Sequence, residues 1–371
     1  MINTWNIVIA LQFVWPLQFG LALEVPFHDS LLHEGETCTL ADGKTHGTCR
    51  RDIDCLSLMI VPQDNWKTCS FDEISAIVCC PELEPHTLHD TSDRFKRISD
   101  DICAGFSDMP VTENHILNGT AAQAEDFPYL GALLLQDARD VLNESWYGCG
   151  ASLISDRFML TAAHCLVGKK VVHVRLGALS LEDVKGEEPV IIGIEETFIH
   201  PNYTKVKRKA IPRNDIALLK LSRKVVEDFL IPACLYTEPF DPLPDKPLAI
   251  AGWGGNDTDD EEMSSILLKA QVPIYERNKC DFDLRNAPKG PTRLYDDHLC
   301  TLGKSDGEVM NDTCVGDSGG PLELSVGRRK YIVGITSTGK ICGTNFPGIY
   351  TRVSHFIDWI VSIVWLRKGI N

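Results

Sequence analysis

The chain has 371 residues, a length that suits two domains or three, and 44% of them are hydrophobic, enough for a large core. Its 36 lysines and arginines face 52 acidic residues, giving a formal charge of −16 with no long basic tract to offset it. That balance argues against nucleic-acid binding as a main role, because neutralising phosphates takes clustered Lys and Arg.

Residues 7–23 are apolar apart from Gln12, Pro16 and Gln18, and no charged side chain precedes Glu24. That length predicts a signal peptide over residues 1–22, with Gly20-Leu21-Ala22 at the cleavage point. A membrane anchor is the competing reading, but proline and glutamine interrupt a run already short for a span. The chain carries 14 cysteines, an even number, which behind a signal peptide implies an oxidising compartment and a disulfide framework. No Cys-x-x-Cys pairs with a second such unit, which speaks against a structural zinc site. Secretion also fits the Asn-x-Ser/Thr sequons at Asn118, Asn143, Asn202, Asn256 and Asn311. The first four are glycosylation candidates; Asn311 adjoins the segment described below and is expected to stay unmodified.

Residues 38–80 hold Cys38, Cys49, Cys55, Cys69, Cys79 and Cys80. So short a segment buries little core and must be held by disulfides, though spacing alone leaves every pairing open. Residues 81–115 are rich in Pro, His, Asp, Ser and Thr and read as an exposed linker open to proteolysis, with Cys103 alone inside it. Phe95-Lys96-Arg97 before Ile98 offers an accessory nick there. Beyond the linker, short apolar runs such as 129–135, 171–176 and 331–335, bounded by turn residues, predict an all-β barrel domain. Residues 353–366 have helical apolar spacing and predict a helix packed on that barrel. The basic run 205–209 and the acidic run 257–262 read as solvated loops.

Three motifs carry the chemistry: Thr161-Ala162-Ala163-His164-Cys165, Asn214-Asp215-Ile216-Ala217, and Asn311-Asp312-Thr313-Cys314-Val315-Gly316-Asp317-Ser318-Gly319-Gly320-Pro321. A serine is a weak nucleophile until an imidazole takes its proton, and an imidazole works best when a carboxylate orients it. Ser318, His164 and Asp215 supply those three groups.

Together the motifs resemble the chymotrypsin-family serine proteases, from about residue 116 to the C-terminus, and imply a trypsin-like double β-barrel over 116–371. The resemblance makes the backbone N–H groups of Gly316 and Ser318 the oxyanion hole. It places Asp312 at the base of the specificity pocket, with Gly339 and Gly348 as its small walls, which implies cleavage after Arg or Lys. It implies the disulfides Cys149–Cys165, Cys280–Cys300 and Cys314–Cys342, leaving Cys103–Cys234 as a tether to the prodomain. Ile116-Leu117-Asn118-Gly119 resembles the N-terminus freed when such zymogens are cut, whose amine would pair with Asp317. The residue before it is His115, where most of the family carries Arg or Lys. Many members bind calcium on an acidic loop, but Ala178 stands at the first expected ligand position, so no metal and no cofactor are expected.

The spacing of the six cysteines in 38–80 resembles the clip domain of arthropod extracellular proteases, which implies Cys38–Cys79, Cys49–Cys69 and Cys55–Cys80. With a non-basic activation residue, the chain is similar to the group containing snake and persephone. The resemblance therefore implies a haemolymph zymogen of a Toll or prophenoloxidase cascade. Its partners would be an upstream activating protease, a downstream protease zymogen and a serpin, with neither membrane nor nucleic acid. A broad degradative trypsin and an inert clip-domain adaptor are the alternatives.

Overall fold

The computed structural model describes residues 32–51, 65–71, 76–81, 91–109, 120–139, 144–186, 188–204, 211–243, 246, 248–254, 264–286, 292–303, 317–338 and 347–366. The expected leader (1–22), Cys55, the runs 205–209 and 257–262, and the sequons at Asn118, Asn143, Asn256 and Asn311 lie outside them. So do His115, Ile116, Asp312, Cys314, Gly316, Gly339 and Cys342.

The N-terminal part is an antiparallel sheet of β1 (Thr37–Thr39), β2 (His46–Arg51), β3 (Thr68–Phe71) and β4 (Ala76–Pro81), in the order β1-β2-β4-β3. Its small core contains Cys38, Leu40, Cys49, Cys69, Ile77 and Cys79. Cys38 is bonded to Cys79 and Cys49 to Cys69. Cys80 is also disulfide-bonded. With so little apolar burial, these bonds hold the sheet by restricting the unfolded chain.

The linker differs from its expectation. Thr91–Ala104 forms a 14-residue helix, α1, and packs against the C-terminal helix introduced below. Phe95, Ile98 and Ile102 recur at helical spacing, no proline interrupts the segment, and Ser99 and Cys103 are buried on the same side. The polar composition of 81–115 conceals this stripe. Cys103 is bonded to Cys234, Lys96 Nζ lies 2.7 Å from Glu238 Oε1, and Thr237 Oγ1 donates to Asp100 Oδ1 at 3.0 Å. Met109, 3% exposed, donates its N–H to the Arg328 carbonyl. Arg97 and Ile98 therefore sit within a docked helix, not on an open strand.

After β5 (Thr120–Ala121) come β6 (Leu130–Asp137), β7 (Trp146–Leu153), β8 (Phe158–Thr161), β9 (Lys169–Leu176), β10 (Val190–Ile199) and β11 (Ala217–Leu221). These last six close a barrel in the order β10-β11-β8-β7-β6-β9. Next follow β12 (Cys234–Leu235), β13 (Leu248–Gly252), β14 (Leu268–Val272), α2 (Arg277–Arg285), β15 (His298–Thr301), β16 (Pro321–Val326), β17 (Arg329–Thr338) and β18 (Gly348–Arg352). They form a second sheet, β15-β18-β17-β16-β13-β14-β5, with β12 parallel to β17. A closed barrel beside a second large sheet agrees with the all-β barrel domain expected from the short apolar runs and with the double β-barrel that the resemblance implies. The helical pattern of 353–366 becomes a 3-10 turn followed by α3 (Ile357–Val364), which buries Ile357, Ile360, Val361 and Val364. Among the described residues no helix is long and apolar enough to cross a membrane.

Candidate active site

Pairing between β8 and β11 sets Thr161 opposite Ala217 and Leu160 opposite Leu218. The chain leaving β8 and the chain entering β11 therefore emerge side by side from one end of the barrel. His164 stands three residues past Thr161, on the 3-10 turn Ala163–Cys165, and Asp215 stands two residues before Ala217. Cys165 is bonded to Cys149 of β7, which ties the histidine turn to the barrel wall.

Asp215 is fully buried. Its Oδ1 accepts the backbone N–H of His164 at 2.9 Å, and its Oδ2 lies 2.8 Å from His164 Nδ1. Ser337 of β17, in the second barrel, donates its hydroxyl to the same Oδ2 at 2.6 Å. Thr351 of β18 donates to the Asp215 carbonyl at 2.9 Å. Three donors thus converge on one buried carboxylate, and with its Nδ1 side turned to Asp215 the His164 ring presents Nε2 as the atom to accept a proton.

Ser318 lies in a tight turn, where Gly320 donates to the Asp317 carbonyl and Gly319 to the Thr336 carbonyl. The Ser318 carbonyl accepts the Gly150 N–H at 2.8 Å. Gly319 has φ +75°, and a Cβ there would lie 2.3 Å from Thr161 Oγ1 and 2.6 Å from the Gly150 carbonyl. The turn thus seats Ser318 against the strand end that leads to His164, an approach open only to glycine. Asp317 Oδ1 accepts the Gly254 N–H at 2.9 Å, and a Cβ on Gly252 or Gly254 would strike its carboxylate. Gly348 opens β18, opposite Thr301. Asn202 is exposed.

Two groups bring possible metal-ligand atoms together among the described residues: Cys38 with Cys49 and Cys69, and Cys149 with His164 and Cys165. Every sulfur in them belongs to a disulfide, which leaves no thiolate to bind a metal. Cys280 and Cys300 are also bonded, and no described cysteine is free.

Sequence reasoning did not find Ser337 or Thr351, because each reaches Asp215 from the other barrel across more than a hundred residues. The available signal was Ser337's place two residues before Gly339, a position already assigned to the pocket wall.

The family model described as Trypsin matches residues 116–360. Serine protease Hayan of Drosophila melanogaster is 36% identical over 260 residues, covering 68% of this chain but only 39% of Hayan's length. Phenoloxidase-activating factor 3 of Holotrichia diomphalia is 37% identical, over 66% of this chain and 71% of that protein. Serine protease snk of Drosophila melanogaster is 30% identical over 379 residues, 94% of this chain and 83% of its own.

Proposed function

Because this chain belongs to the trypsin family of serine endopeptidases, in the branch that includes the CLIP domain-containing serine protease B10 of Anopheles gambiae, 34% identical over 67% of this chain, we propose that it is a secreted zymogen whose active form cuts after Arg or Lys in an extracellular cascade. One observation carries the catalytic reading: a buried Asp215 bonded to His164 beside the glycine turn that seats Ser318. Ser318 is the nucleophile. His164 takes its proton and returns it to the leaving amine, while Asp215 fixes the ring tautomer and stabilises the imidazolium. The N–H groups of Gly316 and Ser318 stabilise the oxyanion, where losing one donor typically costs about 2.7–4 kcal/mol of transition-state stabilisation. Asp312 pairs with the basic side chain of the substrate, between Gly339 and Gly348.

Cutting after His115 frees the amine of Ile116, which pairs with Asp317 and orders the pocket. A trypsin-like pocket does not accept His115, so the activator is a protease of different specificity and the enzyme does not start itself. The name of one relative, a phenoloxidase-activating factor, favours an arthropod cascade that ends in melanisation, and Toll signalling is the other output that the clip-domain resemblance implies. The downstream partner is another protease zymogen, and a serpin stops the enzyme.

The test is to activate the chain and assay peptides ending in Arg, Lys and Phe alongside candidate zymogens. Preference for Arg or Lys, lost in Asp312→Ser, and selective cutting of one zymogen are expected. Arg cleavage persisting at the normal rate in Asp312→Ser would refute the pocket assignment.

A further inference from the structure

We propose that Asp297 and His298 are positioning residues that clamp the backbone of 212–214 and so aim the Asp215 carboxylate at His164. The proposal rests on the reading of Asp215 as the partner of His164.

The strand end that delivers Asp215 is held in an unusual conformation. Asn214 has φ 52°, and among the described residues no other non-glycine has a positive φ. Asparagine tolerates the left-handed region better than most residues, but it stays there only when its surroundings hold it. Two bonds do so: its backbone N–H donates to Asp297 Oδ2 at 2.7 Å, and its side-chain amide donates to the Asn202 carbonyl at 2.8 Å.

His298 grips the same segment two residues earlier. Its ring is completely buried. Nδ1 accepts the Tyr295 N–H at 3.1 Å, and Nε2 donates to the Pro212 carbonyl at 2.9 Å. An amide only donates and a carbonyl only accepts, so these bonds fix the ring as neutral with its proton on Nε2. Burial also pushes its pKa below the ordinary histidine value, against the opposing pull of Asp297. The 3.8 Å approach of His298 Nε2 to Asp297 is therefore not an ion pair.

Asp297 is 2% exposed, and its Oδ1 has no hydrogen-bond partner among the described residues. A buried carboxylate with an orphaned oxygen is a poor device for stability alone. What it does hold is the strained Asn214. The neighbouring strand completes the grip. His298 pairs with Thr351, Arg352 donates its N–H to the Asp297 carbonyl, and the Thr351 hydroxyl reaches the Asp215 carbonyl. β15, β18 and the turn leading into β15 thus hold Pro212, Asn214 and Asp215, although Asp215 enters the first barrel. Arg213 adds a contact over the Tyr295 ring, at 4.4 Å. The clamp registers one barrel's carboxylate against the other, which a triad needs to within roughly half an ångström.

The test uses the activated enzyme and compares Asp297→Ala with Asp297→Asn, which keeps an acceptor for the Asn214 N–H. Three quantities are read: kcat and KM on a peptide, the acid limb of kcat/KM against pH, and the rate at which a fluorophosphonate labels Ser318. Asp297→Ala should lower kcat and labelling by about 10- to 100-fold at nearly unchanged KM, since small misplacements of catalytic groups cost that much. It should also lower the pKa of the acid limb, because a misaligned Asp215 stabilises the imidazolium less. Asp297→Asn should restore most of both. Wild-type kcat and an unmoved acid limb in Asp297→Ala overturn the proposal. If that variant does not fold, Asp297→Ser replaces it, and equal losses in the Asn and Ser variants overturn the proposal. Asp215→Asn is the control for the underlying reading. If it leaves labelling unchanged, the triad assignment fails and the clamp with it. If it suppresses labelling while Asp297→Ala does not, only the clamp is overturned.

Discussion

Asp100 offers a sharp test of how α1 is docked. It lies on α1 with one carboxylate oxygen accepting from Thr237 and the Lys96–Glu238 pair close by. Burial, opposed by the Thr237 bond and by Lys96, raises its pKa from 3.8 to about 6. A docked α1 therefore binds a proton more tightly than an undocked one. Docking is strongest below pH 3.8, weakens as pH rises, and carries its full penalty above pH 6. At about 1.36 kcal/mol per pH unit that penalty is up to about 3 kcal/mol, less whatever solvent screening removes at this half-buried position. Asp100→Asn keeps an acceptor for Thr237 and removes the charge. At pH 7.5 the α1 amides of the variant should exchange hydrogen up to about 100-fold more slowly, after correction for intrinsic rates. At pH 5 the gain should fall to about half in free energy. Equal or faster exchange at pH 7.5, or a gain that does not change with pH, refutes the argument.

Three further outcomes follow from the geometry. Ser337→Ala removes one donor from the buried Asp215 carboxylate and should lower kcat/KM about 10-fold with the circular dichroism spectrum unchanged. Gly319→Ala forces a Cβ onto Thr161 Oγ1 and the Gly150 carbonyl, so fluorophosphonate labelling of Ser318 should be lost even in protein that remains soluble. Limited trypsin digestion of the intact chain should yield no fragment beginning at Ile98 while α1 stays docked, because proteases need an extended strand; early appearance of that fragment would show α1 to be loosely held.

The motifs around His164, Asp215 and Ser318 were legible because each is local: a few contiguous residues mark each, and the structure sets His164 on Asp215 and Ser318 in a glycine turn. The barrel class was legible for the same reason, since runs such as 129–135 and 331–335 sit inside β6 and β17 apart from a residue at one end. What stayed hidden is non-local. Ser337 and Thr351 contribute through single hydroxyls from strands far along the chain, and no short pattern marks a serine for a carboxylate 122 residues away. The linker failed differently. Its average polarity outweighed the three-residue stripe of Phe95, Ile98 and Ile102, and Pro, Thr and Asp before it suggested a chain without structure. Tertiary contact with α3 and the Cys103–Cys234 bond make a helix there worth forming.

The reading proposed above is of a serine endopeptidase held inactive until the chain is cut after His115. Replacing residues 111–115 with an enteropeptidase recognition sequence allows a clean cut before Ile116, with fluorophosphonate labelling followed by mass spectrometry before and after. Label is expected on Ser318 only after the new N-terminus at Ile116 appears, and none in Asp317→Asn. Equal labelling of the uncut chain, or no labelling of Ser318 once Ile116 is free, would contradict it.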